Sequence, residues 1–426
     1  MKKLLNKISN IFKKIPAFFK KISPKCKKID NAFFSFLKKY MWIIVMFLAL
    51  FFSTLAKTYA FSFLSGDYNG FLLKWMRQYK ILGIHDGFGA SLGDYTPFYN
   101  YFLCIFGVVL PEEGFVYAIK IFNIFFEASF ATAVFFIIQK CFNRLNYSSL
   151  AFSISLIIPS IIINGAFWGQ CDIIFSSFVV WSFYFVISKK YNFAMIFFSI
   201  AFSIKLQAIF FLPFLFLLVL KREIKIWQLL YIPLIYITIA LPAIICGRPF
   251  VDIITVYFKQ AGEYNTRISL SAPSIYSYFD NAMTSTLGNV PVIIFFVVTL
   301  AYIFYLFYKD FEFNNENLVT ITLVSCLFSP FFLPYMHERY FFIADIFAVL
   351  YVLIKKKGFF ICLLINFASI ACTSYWLFSG IGNSNMFTHF NVIRVCSTFN
   401  LIAVTLLIIE LIKMPVRKPD SQINNS

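Results

Sequence analysis

The sequence predicts an all-α protein that crosses a lipid bilayer many times, on three observations. Mean hydropathy is +0.79 and 60% of the residues are hydrophobic, with 60 Phe among them. A single soluble core cannot bury that much apolar surface. Apolar runs near the ~20 residues needed to cross a bilayer recur along the whole chain. The basic residues between those runs are bunched in short loops, the pattern of cytoplasmic loops in membrane proteins. The runs lack the alternation of barrel strands.

The first element is a basic arm, residues 1–39. Leu4, Ile8, Ile11, Phe12, Ile15, Phe18, Phe19 and Ile22 fall at helical steps, and Lys fills the other face. This predicts an amphipathic helix, bent or broken at Pro16 and Pro24, lying on the inner leaflet where anionic lipid attracts Lys. The plainer alternative is a charged tail that only sets topology. Twelve Lys precede Tyr40 against one acid, Asp30, so much of the net charge of +18 belongs to this arm. That balance suits a membrane protein and gives no reason to expect a nucleic-acid partner. The run from Met41 to about Phe63 is of full spanning length and lacks a small-residue cleavage pattern, so it reads as a first span and not a cleaved signal. The nine Cys are scattered, most of them in apolar runs, without CxxC or metal-ligand spacing. They read as small apolar residues, and nothing calls for a metal or cofactor.

With the Lys-rich arm inside, charge threads the rest. The run Pro97–Leu110 is short for a span and carries Asn100 and two Tyr, which suits a helix on the outer face. Spans then follow at about residues 116–138, 148–166, 172–188, 191–206, 208–220, 227–246, 289–308, 317–335 and 340–354, with two more before the tail. The total is about 12 transmembrane helices plus outer-face juxtamembrane helices. The transmembrane domain covers residues 40–412, with large outer loops at 64–115 and 247–288 and a cytoplasmic tail at 413–426. Both termini are cytoplasmic in this threading.

One consequence is not imposed by it. The polar residues left over gather on the outer side: Asp67, Lys74, Arg77, His85, Asp86, Asp94, Gln170, Asp172, Lys205, Gln207, His337, Glu338 and Arg339. Charges near bilayer depth are costly and line cavities or pair with one another. Each has a plainer reading. Asp67 suits a helix cap at a span exit, and Asp94 suits an N-cap before Pro97. Lys205 can snorkel to headgroups. His337, Glu338 and Arg339 suit a salt-bridge knot. Lys120 and Glu127, seven apart on one helix face, read as an ion pair or a site wall.

Five segments, "SGDYNGFLLKW", "GDYTPFYNYFL", "GAFWGQCDIIFSSFVVWSFYF", "FSIKLQAIFFLPF" and "SPFFLPYMHERYFF", resemble in that order the signatures of the C-type (GT-C) membrane glycosyltransferases. They most resemble bacterial mannosyltransferase-like proteins related to the second mannosyltransferase of GPI-anchor synthesis. The dolichyl-phosphate-glucose-dependent glucosyltransferases of N-glycan assembly are more distant. The resemblance covers about residues 60–345. It implies the GT-C fold, with Asp67 as catalytic base. It implies a donor- and substrate-binding set of Asp94, Tyr95, Trp168, Gln170, Asp172, Lys205, Gln207, His337, Glu338 and Arg339. Thr96 stands where the family has a first Pro, and Lys120 and Glu127 fall on its span-two Lys and acid. The residues after Asp67 then read as an outer-leaflet helix, with Phe71, Leu72 and Trp75 in lipid and Lys74, Arg77 and Lys80 facing headgroups or a donor phosphate.

The implied chemistry is transfer of a mannose-like or glucose-like hexose from a polyprenyl-phosphate sugar to an acceptor hydroxyl. The transfer inverts the anomeric centre and needs no nucleotide-sugar metal site. The acceptor is a glycan, a glycolipid or a protein, and the reaction takes place on the outer face of the cytoplasmic (plasma) membrane. A carboxylate in hydrogen-bond reach can take the acceptor proton, and Lys205, His337 and Arg339 can neutralise the leaving phosphate. Two other functions fit the composition: a transporter or flippase of a lipid-linked glycan, and a polysaccharide polymerase or ligase.

Overall fold

The structure is a computed structural model. It describes the backbone of residues 2–93, 95–263, 266–378 and 386–416, and the side chains of residues 27–93, 95–260, 262, 266–378 and 391–416. The chain is almost wholly helical and is a multi-pass membrane protein.

Helix α1 (Lys2–Thr58) runs unbroken through Pro16 and Pro24. The breaks expected there are absent, since a Pro removes a hydrogen bond and can kink a helix without ending it. A connection to Tyr68 leads through one π-helical turn into α2 (Leu73–Gly89) and α3 (Pro97–Val109). Helix α2 bends at Gly83, whose φ of 76° with ψ of −176° is open only to glycine. Helix α3 has 13 residues, too short to cross a bilayer. Then come α4 (Phe115–Phe142), α5 (Leu145–Leu156) and the single turn α6 (Pro159–Ile161) with its π-helical continuation to Trp168. Next are α7 (Asp172–Ile187), α8 (Tyr191–Ile204), α9 (Leu212–Leu220) and α10 (Tyr231–Ile245).

The connection expected at 247–288 is itself folded. It holds α11 (Phe250–Glu263), strand β1 (Ser269–Leu270) and α12 (Thr284–Leu287). Then follow α13 (Val290–Tyr308), α14 (Asn315–Phe332), strand β2 (Met336–His337), α15 (Phe342–Lys355), α16 (Phe359–Phe378) and α17 (Met386–Lys413). Strands β1 and β2 pair in parallel, Ser269 with Met336 and Leu270 with His337, which ties the long connection to the "HER" segment.

The expected 12 full spans are not there. Among the described residues, six helices are long and apolar enough to cross a membrane: Lys27–Thr58, Glu112–Phe142, Ile226–Ile245, Val290–Tyr308, Phe359–Phe378 and Asn391–Lys413. A seventh span is counted if Leu145–Leu156 and Pro159–Trp168, bent by 42°, act as one. The overcount has a physical cause. Hydropathy makes a span of every apolar run between basic loops, but polar turns cut several runs short. Lys205 takes an extended backbone (φ −152°, ψ 138°) and stops α8, and Gly169 (φ 76°) separates the π-helical turn from α7.

The shorter apolar helices α7, α8 and the Leu206–Leu220 stretch sit inside the bundle, so lipid thickness does not set their length. One core joins α4, α7, α8, α9, α14 and α15. Within it α14 is buried nearly throughout. Its Thr320, Thr322, Ser325 and Ser329 hydroxyls each donate to the carbonyl four residues back, so each of these buried hydroxyls has a partner.

Candidate active site

The site is built on the turn after α1. Lys120 of α4 donates to the carbonyls of Ala60 (2.8 Å), Phe61 (3.2 Å) and Phe63 (2.8 Å). These carbonyls belong to the irregular turn just after α1, where buried backbone oxygens need donors, and the Lys120 ammonium supplies three. Lys120 therefore fixes the path from α1 to Asp67. It is not paired with Glu127, as their spacing on one helix face suggests. Glu127 forms a buried ion pair with Lys57, near the end of α1, and Lys57 also donates to the Leu156 carbonyl at 3.1 Å. Ser65 completes the turn, donating to the Trp168 carbonyl at 2.8 Å and accepting the Tyr68 N–H at 3.1 Å.

Asp67 then meets three donors at a single oxygen. Its Oδ2 accepts from Gln170 Nε2 at 2.6 Å, Arg339 Nη1 at 2.9 Å and Trp168 Nε1 at 3.0 Å. The Arg339 guanidinium also lies 5.4 Å from the centre of the Trp168 ring, in cation–π range. Among the described residues no donor reaches Oδ1. This is not a cap: Asp67 precedes the π-helical turn, but its side chain makes no capping bond. Gln170 is held from behind by Asn123, which donates to its carbonyl at 2.8 Å. Its Oε1 lies 3.5 Å from the Tyr95 hydroxyl.

Beside this lies a second pair. Asp172 opens α7, where an acid is favoured by the free N–H groups of the first turn. It forms a buried ion pair with Lys205, and it accepts from Asn164 Nδ2 at 2.7 Å. The Lys205 ammonium sits 5.9 Å from the Tyr95 ring centre. Two carboxylates and two cations thus gather where "WGQCD", "KLQ" and "HER" meet.

All this forms the polar end of a cavity of about 1630 Å³, whose lining includes Asp67, Tyr95, Gln170, Lys205, Gln207, His337, Glu338 and Arg339. That exceeds the ~300–1,000 Å³ usual for small-ligand sites. Away from the charges the lining turns apolar, with Phe216 from α9 and Phe296, Leu300 and Ile303 from α13. Phe216, Phe296 and Leu300 are 39%, 57% and 45% exposed, so this apolar wall is accessible and not closed over by packing.

Most of the sequence-selected residues are therefore neighbours. Asp94 lies outside the described residues. His337 and Glu338 line the cavity, 3.8 Å from each other. Lys74, Arg77 and Lys80, expected at headgroups or a donor phosphate, do not line the cavity. Arg77 instead clamps Glu112, and Lys80 donates to the Leu110 carbonyl. Leu72 and Trp75, expected in lipid, are respectively buried and part of the cavity wall. His85 and Asp86 bond each other on the surface at 2.8 Å.

Sequence reasoning missed Lys57, Asn123 and Asn164. Asn123 carried a signal, because Lys120, Asn123 and Glu127 fall at helical steps on one face of an otherwise apolar helix. Among the described residues, no three His, Cys, Asp or Glu side chains come together to hold a metal ion. No protein-family model matches the chain, and no curated protein is significantly similar to it.

Proposed function

We propose that the protein is an integral-membrane glycosyltransferase of the GT-C type. It moves a mannose-like or glucose-like hexose from a polyprenyl phosphate to an acceptor hydroxyl on the outer face of the cytoplasmic membrane, with both termini inside. The observation that carries this reading is Asp67. One carboxylate oxygen is fixed by three donors, the other accepts from no described residue, and the side chain lines a cavity that runs from charged groups to an open apolar groove.

The reaction follows from those parts. The polyprenyl chain lies along the apolar wall to which α9 and α13 contribute, so the phosphate and sugar reach the polar end. The acceptor oxygen attacks the anomeric carbon from the face opposite the phosphate. Its proton passes to Asp67 Oδ1 as the new bond forms. The bond from the anomeric carbon to the phosphate oxygen breaks, and the phosphate leaves with the electron pair, so the configuration inverts. Lys205 and Arg339 are the cations near enough to stabilise that charge, which is worth most where water is scarce, and His337 lines the same end of the cavity.

Arg339 has two roles, since it also holds the Asp67 carboxylate in its orientation. Tyr95, Gln170, Gln207 and Glu338 are placed to hydrogen-bond the sugar. Incubating purified protein with a panel of polyprenyl-phosphate hexoses tests the reading. Transfer from at least one is expected, and failure both to bind and to transfer any of them removes it.

A further inference from the structure

The cavity lining also holds an uncharged polar stretch apart from the groups assigned above to the donor. Asn281, Thr284, Ser285 and Asn289 belong to it, and Trp75 and Trp376 line the same cavity. The nine residues 281–289 contain no charge, and Asn281, Ser285 and Asn289 are solvent-exposed. The segment is held in shape. Asp280 accepts the Ala282 N–H at 2.9 Å, Asn281 Oδ1 accepts the Ser269 N–H at 3.3 Å, and the Tyr335 hydroxyl donates to the Gly288 carbonyl at 3.4 Å.

We propose that this stretch of the wall is the acceptor subsite and that its ligand is a neutral oligosaccharide. The proposal narrows the glycosyltransferase reading and rests on it for the use of the ligand, but not for the binding. Amides and hydroxyls both donate and accept, as sugar hydroxyls do, and they match a polyhydroxylated chain in many registers. Trp75 and Trp376 offer broad apolar faces for the C–H faces of pyranose rings, and Trp376 is 48% exposed. Charge separates the ligand classes. Among the described residues, the charged side chains lining the cavity are Asp67, Lys205, Glu338 and Arg339, all of them in the polar end described above. An acidic glycan or a charged peptide along this wall would leave its own charges without counter-ions. A neutral chain leaves nothing unpaired, and its terminal hydroxyl reaches Asp67.

Saturation-transfer NMR on the full chain in lipid nanodiscs tests this directly. The probes are the neutral disaccharides maltose, lactose and mannobiose, the acidic digalacturonate, and trialanine. Saturation transfer to at least one neutral disaccharide is expected, with little to digalacturonate or trialanine. Trp376→Ala should weaken that binding about tenfold, a fair share for one stacked ring. Asn281→Ala with Ser285→Ala should weaken it similarly. Binding by no neutral disaccharide, a stronger response from digalacturonate or trialanine, or unchanged binding in both wall variants overturns the proposal. Sugar binding at this wall without any transfer from lipid-linked donors would instead sink the enzymatic reading and leave the subsite standing.

Discussion

Lys205 and Asp172 allow a structural role to be separated from a chemical one. Their side chains are 6% and 3% exposed, so each charge depends on the other. Replacing Lys205 by Met keeps the aliphatic stem and strands the Asp172 carboxylate. Breaking one side of a buried pair costs about 3–5 kcal/mol. Asp172 keeps the Asn164 hydrogen bond at 2.7 Å, so the lower end, about 3 kcal/mol, is expected here. Asp172→Asn strands Lys205 and should cost about as much.

The double variant Lys205→Met/Asp172→Asn removes both charges of the pair, and the amide oxygen introduced at position 172 can still accept from Asn164. It should come within about 1 kcal/mol of wild type, which against two single losses of about 3 kcal/mol each is a coupling of about 5 kcal/mol. Unfolding in detergent at one fixed heating rate reads this, since membrane-protein unfolding is kinetically controlled. The double variant should regain stability yet bind the lipid-linked donor more weakly, because one phosphate-facing cation is gone while Arg339 remains. A Lys205→Met protein as stable as wild type, or a double variant no better than the singles, would refute the pairing argument.

Three further outcomes are expected. Glu127→Gln should cost about 3 kcal/mol by stranding Lys57, and Lys57→Met in the same chain should recover most of it, read by the same unfolding assay. Leu300→Glu, in the groove wall, should raise the KM for long-chain polyprenyl donors at least ~10-fold while barely affecting a short-chain analogue, because a charge facing lipid costs ~2 kcal/mol or more. Glu113→Cys should be labelled in intact cells by a membrane-impermeant maleimide, and labelling only after the inner face is exposed would reverse the proposed orientation.

The helical membrane class could be read from the sequence because hydropathy and length act locally along the chain. The count of spans could not. Whether the run before Lys205 crosses the bilayer depends on what packs around α7 and α8, and that is a tertiary fact. The contacts of Asp67 could not be read either. Arg339 is 272 residues away, and only the folded chain brings its Nη1 to the carboxylate. What the sequence could reveal was chemical economy: polar side chains at span ends are rare enough that Asp67, Gln170, Asp172, Lys205 and Arg339 stood out together. Pairing was the weak point. Lys120 and Glu127 share a helix face, yet each bonds elsewhere: Lys120 to the carbonyls of the turn after α1 and Glu127 to Lys57. The β1–β2 pairing, two residues long, left no readable alternation.

The central claim is that Asp67 takes the acceptor proton. Asp67→Asn keeps the shape and lets the amide oxygen accept from Trp168, Gln170 and Arg339, but it removes the base. The measurement is single-turnover transfer from a polyprenyl-phosphate hexose, with donor binding measured on the same sample. The account predicts donor affinity near wild type and transfer slowed at least ~100-fold, the usual worth of a general base. Transfer at the wild-type rate in the Asp67→Asn protein would contradict it.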